Sequence, residues 1–162
     1  MTTHLLEREQ WLPISIGEAW SFFSSPLNLA KITPDDMGFV IRQPFQDKPI
    51  YKGQLITYTV SPLLGIPLKW VTRIAKVEAH HRFVDTQITG PYKLWWHQHT
   101  FIEKDGGTLM KDKVEYRLPL GPLGELVHGW FVRKKLEQIF DFRFQALEKH
   151  FGTTRSRDTL VA

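Results

Sequence analysis

The chain has 162 residues and contains eleven Phe and six Trp but no Cys, which excludes a disulfide framework, a thiolate metal site and a cysteine nucleophile. Its net charge of +4 is small, and Lys and Arg are spread among Asp and Glu, except near Arg133–Lys135 and in the C-terminal tail. A nucleic-acid partner is therefore not expected, because such binding needs clustered basic residues.

The N-terminal part predicts one strand followed by two short helices. Thr3–Leu12 alternates loosely between apolar and polar residues, as a strand does. Ser15 and Glu18 have the spacing of a capping box, which predicts a helix over Gly17–Phe23. A second short helix is predicted over Leu27–Ile32.

The middle of the chain predicts strands and turns. A polar loop is expected over Pro44–Lys52, and the hairpin turn around Asp105–Gly107 is the strongest local signal. Because strands follow one another instead of alternating with helices, the fold class is α+β with an antiparallel sheet. The six predicted strands are Gly38–Arg42, Gly53–Pro62, Leu68–Val77, Arg82–Thr89, Tyr92–Lys104 and Thr108–Leu118.

The last predicted element is a long helix over Leu123–Phe151, which carries a wide apolar stripe. We expect it to pack across the curved sheet, with Trp130–Phe140 bounding a cavity and Phe144–Phe151 forming plain core. One domain over residues 1–152 is predicted, and the polar residues 153–162 are expected to be disordered. The sequence shows no signal peptide and no apolar run of membrane-spanning length, so we expect a cytoplasmic protein.

The hairpin places titratable residues on the covered face of the sheet. With Gly106 and Gly107 as the central turn residues, His99 would lie opposite Val114 and diagonal to Asp112. His97, His99 and Asp112 then share the covered face, while the lysines of the second strand face solvent. A buried histidine needs a polar partner, and a carboxylate would raise its affinity for a proton.

The same parity argument predicts a ligand-binding face. Aromatic residues dominate this face, and the polar groups among them are more numerous than packing alone requires, although a polar network within a solid core remains the alternative. The predicted ligand-binding residues are Tyr58, Trp70, Thr72, Phe83, Asp85, Gln87, Trp95, His97, His99, Phe101, Asp112, Val114, Tyr116 and, from the helix, Phe131.

A metal site is an alternative interpretation of the same residues. His97, His99 and Glu103 form an H-x-H-x-x-x-E pattern that resembles the first metal motif of the cupins, with His128 in the place of their later histidine. The turn follows Glu103 too early and a terminal helix has no counterpart in a cupin. We therefore expect neither a metal nor another cofactor.

Three stretches of the chain form a recognisable set of motifs. They are Phe83-x-Asp85-x-Gln87-x-x-Gly90-Pro91, Trp95-x-His97-x-His99-x-Phe101 and Gly107-Thr-x-Met-x-Asp112-x-Val114-x-Tyr116. Taken together, these motifs resemble the SRPBCC superfamily, the START-like or helix-grip group that includes polyketide cyclase/dehydrase-type proteins. This resemblance implies seven antiparallel strands gripping a C-terminal helix, with an apolar cavity for lipids, sterols, polyketides, quinones or plant hormones. The group has no agreed catalytic residues, so none is assigned.

Three functions follow as hypotheses. The first is the binding of a small apolar or amphipathic molecule by a monomer or homodimer. The second is a cyclase/dehydrase-type lyase in which His97 or His99, tuned by Asp112, acts as general acid or base. The third is a module that binds a protein or an anionic membrane through the helix or the basic tail, without stable membrane insertion.

Overall fold

The computed structural model describes residues 2–42, 48–61 and 65–153, with the backbone alone for residues 127–129. Residues 43–47 of the predicted polar loop and residues 154–162 of the predicted tail lie outside the described residues.

The described chain forms seven strands and three α-helices. Two short 3₁₀ segments, Pro26–Ile32 and Asp35–Met37, follow the first helix, and a π-helical segment, His128–Val132, joins the last two helices. The strands are β1 (His4–Leu12), β2 (Val40–Ile41), β3 (Leu55–Val60), β4 (Leu68–Glu78), β5 (Arg82–Thr89), β6 (Leu94–Lys104) and β7 (Gly107–Arg117), and the helices are α1 (Ile16–Phe23), α2 (Gly121–Val127) and α3 (Arg133–Phe151).

All seven strands belong to one antiparallel sheet in the order β1-β7-β6-β5-β4-β3-β2. The predicted α+β class is confirmed. Alternation along β7 explains why the sheet has a covered face, since Met110, Asp112 and Val114 are buried while Lys111 and Lys113 are half-buried on the other side.

The hairpin register differs from the prediction by two residues. Asp105 and Gly106, with φ of 51° and 73°, are the central turn residues, as a primed turn requires. His99 therefore lies directly opposite Asp112, and His97 lies opposite Val114. A shift of two residues preserves the face of every side chain, so the predicted covered face is unchanged.

Gly107 begins β7 at a place where the chain has no room for a side chain. The indole of Trp11 donates to the Lys104 carbonyl at 2.8 Å and lies over this glycine. A Cβ on Gly107 would overlap both the Trp11 ring and the carbonyl oxygen of Leu12, and the backbone atom cannot move aside.

We predict that Gly107→Ala lowers the free energy of unfolding by about 1–3 kcal/mol, the usual cost of overpacking. The matched control is Gly17→Ala in α1, where the nearest atom to the new methyl group lies 3.9 Å away. That change should be neutral or stabilising by up to about 1 kcal/mol. Urea denaturation measures the free energy of unfolding of both variants. Equal values for the two would contradict the close contact at Gly107.

The predicted capping box is present in α1, where Ser15 and Glu18 bond each other's backbone N–H groups. The second predicted helix is instead the 3₁₀ segment Pro26–Ile32. From α1, Trp20 packs edge-on against Phe83 and Phe101. These contacts close one end of the space between the sheet and the C-terminal helix.

The single long helix predicted over Leu123–Phe151 is wrong in two details. Helical structure begins at Gly121, and the backbone of His128–Val132 is wound as a π-helix between α2 and α3. Trp130 is 88% exposed and Phe144 is 39% exposed, so neither belongs to the predicted cavity wall or core. Leu136, Phe140 and Leu147 form the buried stripe of α3.

Within the described residues, no helix combines the length and apolar character needed to span a membrane.

Candidate functional site

A cavity of about 530 Å³ lies between the covered face of the sheet and α3. The 3₁₀ segments close one side of it, and Leu120 and Leu123 lie at another. Nine of the fourteen predicted ligand-binding residues line this cavity. They are Tyr58, Trp70, Thr72, Phe83, Asp85, Trp95, His97, His99 and Phe131.

The other five predicted residues are Gln87, Phe101, Asp112, Val114 and Tyr116, and the structure places them outside the cavity lining. Phe101, Val114 and Tyr116 are at most 2% exposed and pack into the core. Gln87 bonds the backbone N–H and carbonyl of Tyr92 with its side-chain amide, so it closes the Gly90–Pro91 turn. Asp112 lies behind the two histidines.

The cavity wall formed by β3, β4 and β6 is aromatic. Tyr58 stacks on Trp70 at 5.9 Å between ring centroids, and Trp70 meets Trp95 edge-on at 5.3 Å. The hydroxyl of Thr72 connects these two rings by hydrogen bonds. It accepts one from the Trp70 indole N–H at 3.1 Å and lies 3.0 Å from the Tyr58 hydroxyl. Burial raises the pKa of Tyr58, and the nearby Asp85 carboxylate raises it further, so this phenol stays neutral.

At the other end of the wall, two histidines and two aspartates form one cluster. Asp112 Oδ1 lies 2.8 Å from His97 Nε2 and 3.1 Å from His99 Nδ1. Asp85 Oδ2 lies 2.9 Å from His99 Nε2 and 3.7 Å from His97 Nδ1. The ring of Phe83 covers His99, with the two centroids 4.1 Å apart. Both carboxylates therefore bridge the same pair of imidazoles.

Arg143 from α3 completes the cluster, and the sequence interpretation missed it. Its Nη2 lies 3.3 Å from Asp112 Oδ1, and its guanidinium carbon lies 5.4 Å and 5.8 Å from the ring centroids of Phe23 and Phe140. The side chain is only 7% exposed. The sequence does contain an indication that Arg143 is buried. Arg143 follows Phe140 by three positions and precedes Leu147 by four, which puts a cation on the apolar stripe of the helix.

The members of the cluster differ in the direction of their pKa shifts. Burial alone would raise the pKa of Asp112, but Arg143 and the bonds from both histidines hold that pKa well below its usual value. Burial opposes charge on His99 as well, yet its bonds to Asp112 and Asp85 outweigh burial and raise its pKa. For His97, burial and the neighbouring His99 prevail and lower the pKa.

The pKa of Asp85 is lowered against the effect of burial, as that of Asp112 is. Burial opposes its ionisation, but the bond from His99 and the nearby His97 and Arg143 together lower its pKa. The directions of these pKa shifts favour the charged form of both carboxylates and of His99 over the charged form of His97. Groups of opposite charge therefore lie next to one another in the cluster, which lets charged side chains be stable beside an apolar cavity.

Neither a family model nor a curated protein matches the sequence. Solved structures do match. The protein Ms6760 from Mycobacterium smegmatis has a TM-score of 0.62 and 16% identity over 90% of this chain and 92% of that one. A norcoclaurine synthase point mutant from Thalictrum, in complex with a transition-state analogue, has a TM-score of 0.63 and 16% identity over 92% and 96% of the two chains.

The di-domain ARO/CYC protein BexL of the BE-7585A biosynthetic pathway has a TM-score of 0.68 and 18% identity. The match covers 92% of this chain and 50% of that one, so this chain corresponds in length to half of BexL. At these identities the similarity concerns the fold, which is the helix-grip fold that the sequence motifs predict.

Proposed function

We propose that this protein binds one small, mostly apolar molecule in the cavity between the sheet and α3. The observation that carries the proposal is the cavity itself, whose volume of about 530 Å³ lies within the usual range for small-molecule sites. Its wall is apolar over most of its extent and polar at one end. This distribution matches a ligand with an apolar body and one polar group.

The two ends of the wall suggest how such a ligand would lie. Its apolar body would contact Trp70, Trp95 and Phe83, because edge and face contacts with rings add to the burial of apolar surface. Its polar group would lie near Asp85 and His97. A hydroxyl or carbonyl group there could exchange a hydrogen bond with either side chain.

The similar structures support an aromatic or polyketide-like ligand. One is a synthase held with a transition-state analogue and another is an ARO/CYC protein of a biosynthetic pathway. The lyase hypothesis has less support from the geometry, since both ring nitrogens of His99 already lie within 3.1 Å of carboxylate oxygens. Acid–base catalysis by His97 stays a prediction of the sequence.

The proposal is tested by calorimetric titration with the neutral apolar probe N-phenyl-1-naphthylamine. We expect saturable binding of one molecule per chain, with a negative heat-capacity change because apolar surface is buried. Binding without saturation, or with several molecules per chain, would show that the probe adsorbs to the exposed surface and would contradict the proposal.

A further inference from the structure

Asp85, His97 and His99 lie close together, and each has a side-chain atom that can bind a metal ion. Among the described residues they form a group whose potential donor atoms all lie within 4.8 Å of one another. We propose that this group binds one divalent transition-metal ion through Asp85 Oδ2, His97 Nδ1 and His99 Nε2. The ligand set differs from the H-x-H-x-x-x-E pattern of the sequence, because Glu103 is exposed and Asp85 on β5 takes its place.

Two of the three distances between donor atoms are close to those of an ion site. Zinc-type ions lie about 2.0–2.2 Å from nitrogen and oxygen ligands, which puts the donor atoms of a tetrahedral site about 3.3–3.6 Å apart. Asp85 Oδ2 lies 2.9 Å from His99 Nε2 and 3.7 Å from His97 Nδ1. The third pair, His97 Nδ1 and His99 Nε2, lies within 4.8 Å, so the imidazole rings must turn toward each other for all three donors to reach one ion.

The second observation is that Asp112 lies beside one ring nitrogen of each histidine. Its Oδ1 lies 2.8 Å from His97 Nε2 and 3.1 Å from His99 Nδ1, the two ring nitrogens that would not bind the ion. Histidine ligands of metals almost always donate their other N–H to such a carboxylate, which fixes the tautomer and the ring orientation. Arg143 in turn holds Asp112 at 3.3 Å. The ring of His97 is thus oriented by its hydrogen bond to Asp112, while His99 Nδ1 lies near both Asp112 Oδ1 and Arg143 Nη2, the latter at 3.5 Å.

The donor set indicates the class of ion. Two imidazoles and one carboxylate favour zinc, iron, cobalt or nickel over magnesium and calcium, which prefer oxygen donors. All three ligands line the cavity, so the positions that the protein leaves open would face a bound molecule. A ligand with an oxygen donor beside an apolar body would fill one of them. The ion site itself does not depend on the proposed function, because its ligands all belong to this chain.

The test uses the full chain after chelator dialysis, titrated with Co²⁺ alone while the imidazole signals are followed by NMR. We expect the signals of His97 and His99 to shift or broaden and to saturate at one equivalent, while the exposed His81 serves as the internal reference. Uptake that affects the exposed histidines alone, or uptake that never saturates, would overturn the proposal. No apolar ligand is present, so the result is separate from that of the probe titration.

Variants give a second measure by calorimetry with Zn²⁺. Asp85→Asn and His99→Gln should each weaken binding by at least about tenfold, since each removes one ligand. Asp112→Asn should weaken binding about 10–100-fold with one ion still bound per chain, as expected for a residue that orients ligands. The control His81→Gln should leave affinity unchanged. Equal affinity in all four variants would place the ion elsewhere and refute the assignment.

Discussion

Ile139→Trp, and more strongly the pair Val132→Trp and Ile139→Trp, should weaken binding of N-phenyl-1-naphthylamine by at least about tenfold, which is about 1.4 kcal/mol of binding free energy. Both residues line the cavity from the helix side and lie seven positions apart, on one face of the helical segment. Larger side chains there would take up the space that the probe needs. Calorimetric titration of the variants measures the loss.

The matched control is Gln138→Trp, which adds the same side chain at an exposed position of α3 next to Ile139. It should bind the probe as the wild-type protein does. Because overpacking can cost about 1–3 kcal/mol of stability, the fold of each variant is checked by near-ultraviolet circular dichroism before titration. Unchanged affinity in a folded Val132→Trp/Ile139→Trp variant would show that the probe binds elsewhere.

Arg143→Leu should lower the free energy of unfolding by about 3–5 kcal/mol, the usual cost of removing one partner from a buried ion pair. The substitution keeps an apolar side chain on the buried stripe of α3 but leaves Asp112 with less compensation for its charge. It also removes the cation that lies over the Phe23 and Phe140 rings. Urea denaturation measures the change.

Two further variants test whether the loss of stability in Arg143→Leu comes from the buried ion pair or from removing any arginine of α3. Arg133→Leu removes an exposed arginine of the same helix, which pairs with Glu137 four residues later, and should cost at most about 0.5 kcal/mol. The double variant Arg143→Leu/Asp112→Asn should cost less than the sum of the two single changes, because the charges compensate each other. A cost below about 1 kcal/mol for Arg143→Leu would contradict the account of the cluster.

Period-two alternation made much of the sheet predictable. The parity of His97, His99 and Asp112 specified their covered face, and this result survived an error of two residues in the register, since any even shift keeps side chains on the same face. Turn chemistry explains the error itself. Asp105 can adopt a positive φ, so it and Gly106 form the turn, and Gly107 is required instead for the close approach to Trp11.

Parity could not tell which covered residues line the cavity and which pack solidly. Phe101 and Val114 share the face of His99, yet helix residues pack directly against them, from α1 and α3 for Phe101 and from α3 for Val114. The cavity lies along other parts of the same face. Arg143 was missed for a different reason. A long side chain is usually placed at the surface, and only the three-dimensional position of Asp112 explains why this arginine is buried.

Binding inside the cavity is tested most directly by intermolecular nuclear Overhauser effects between N-phenyl-1-naphthylamine and the protein. The account predicts contacts from the probe to ring protons of Trp70 and Phe83 on the sheet and to Ile139 on α3, because these residues bound the same cavity. Contacts confined to Leu126 and Trp130, which are 72% and 88% exposed, would place the probe on the surface and contradict it.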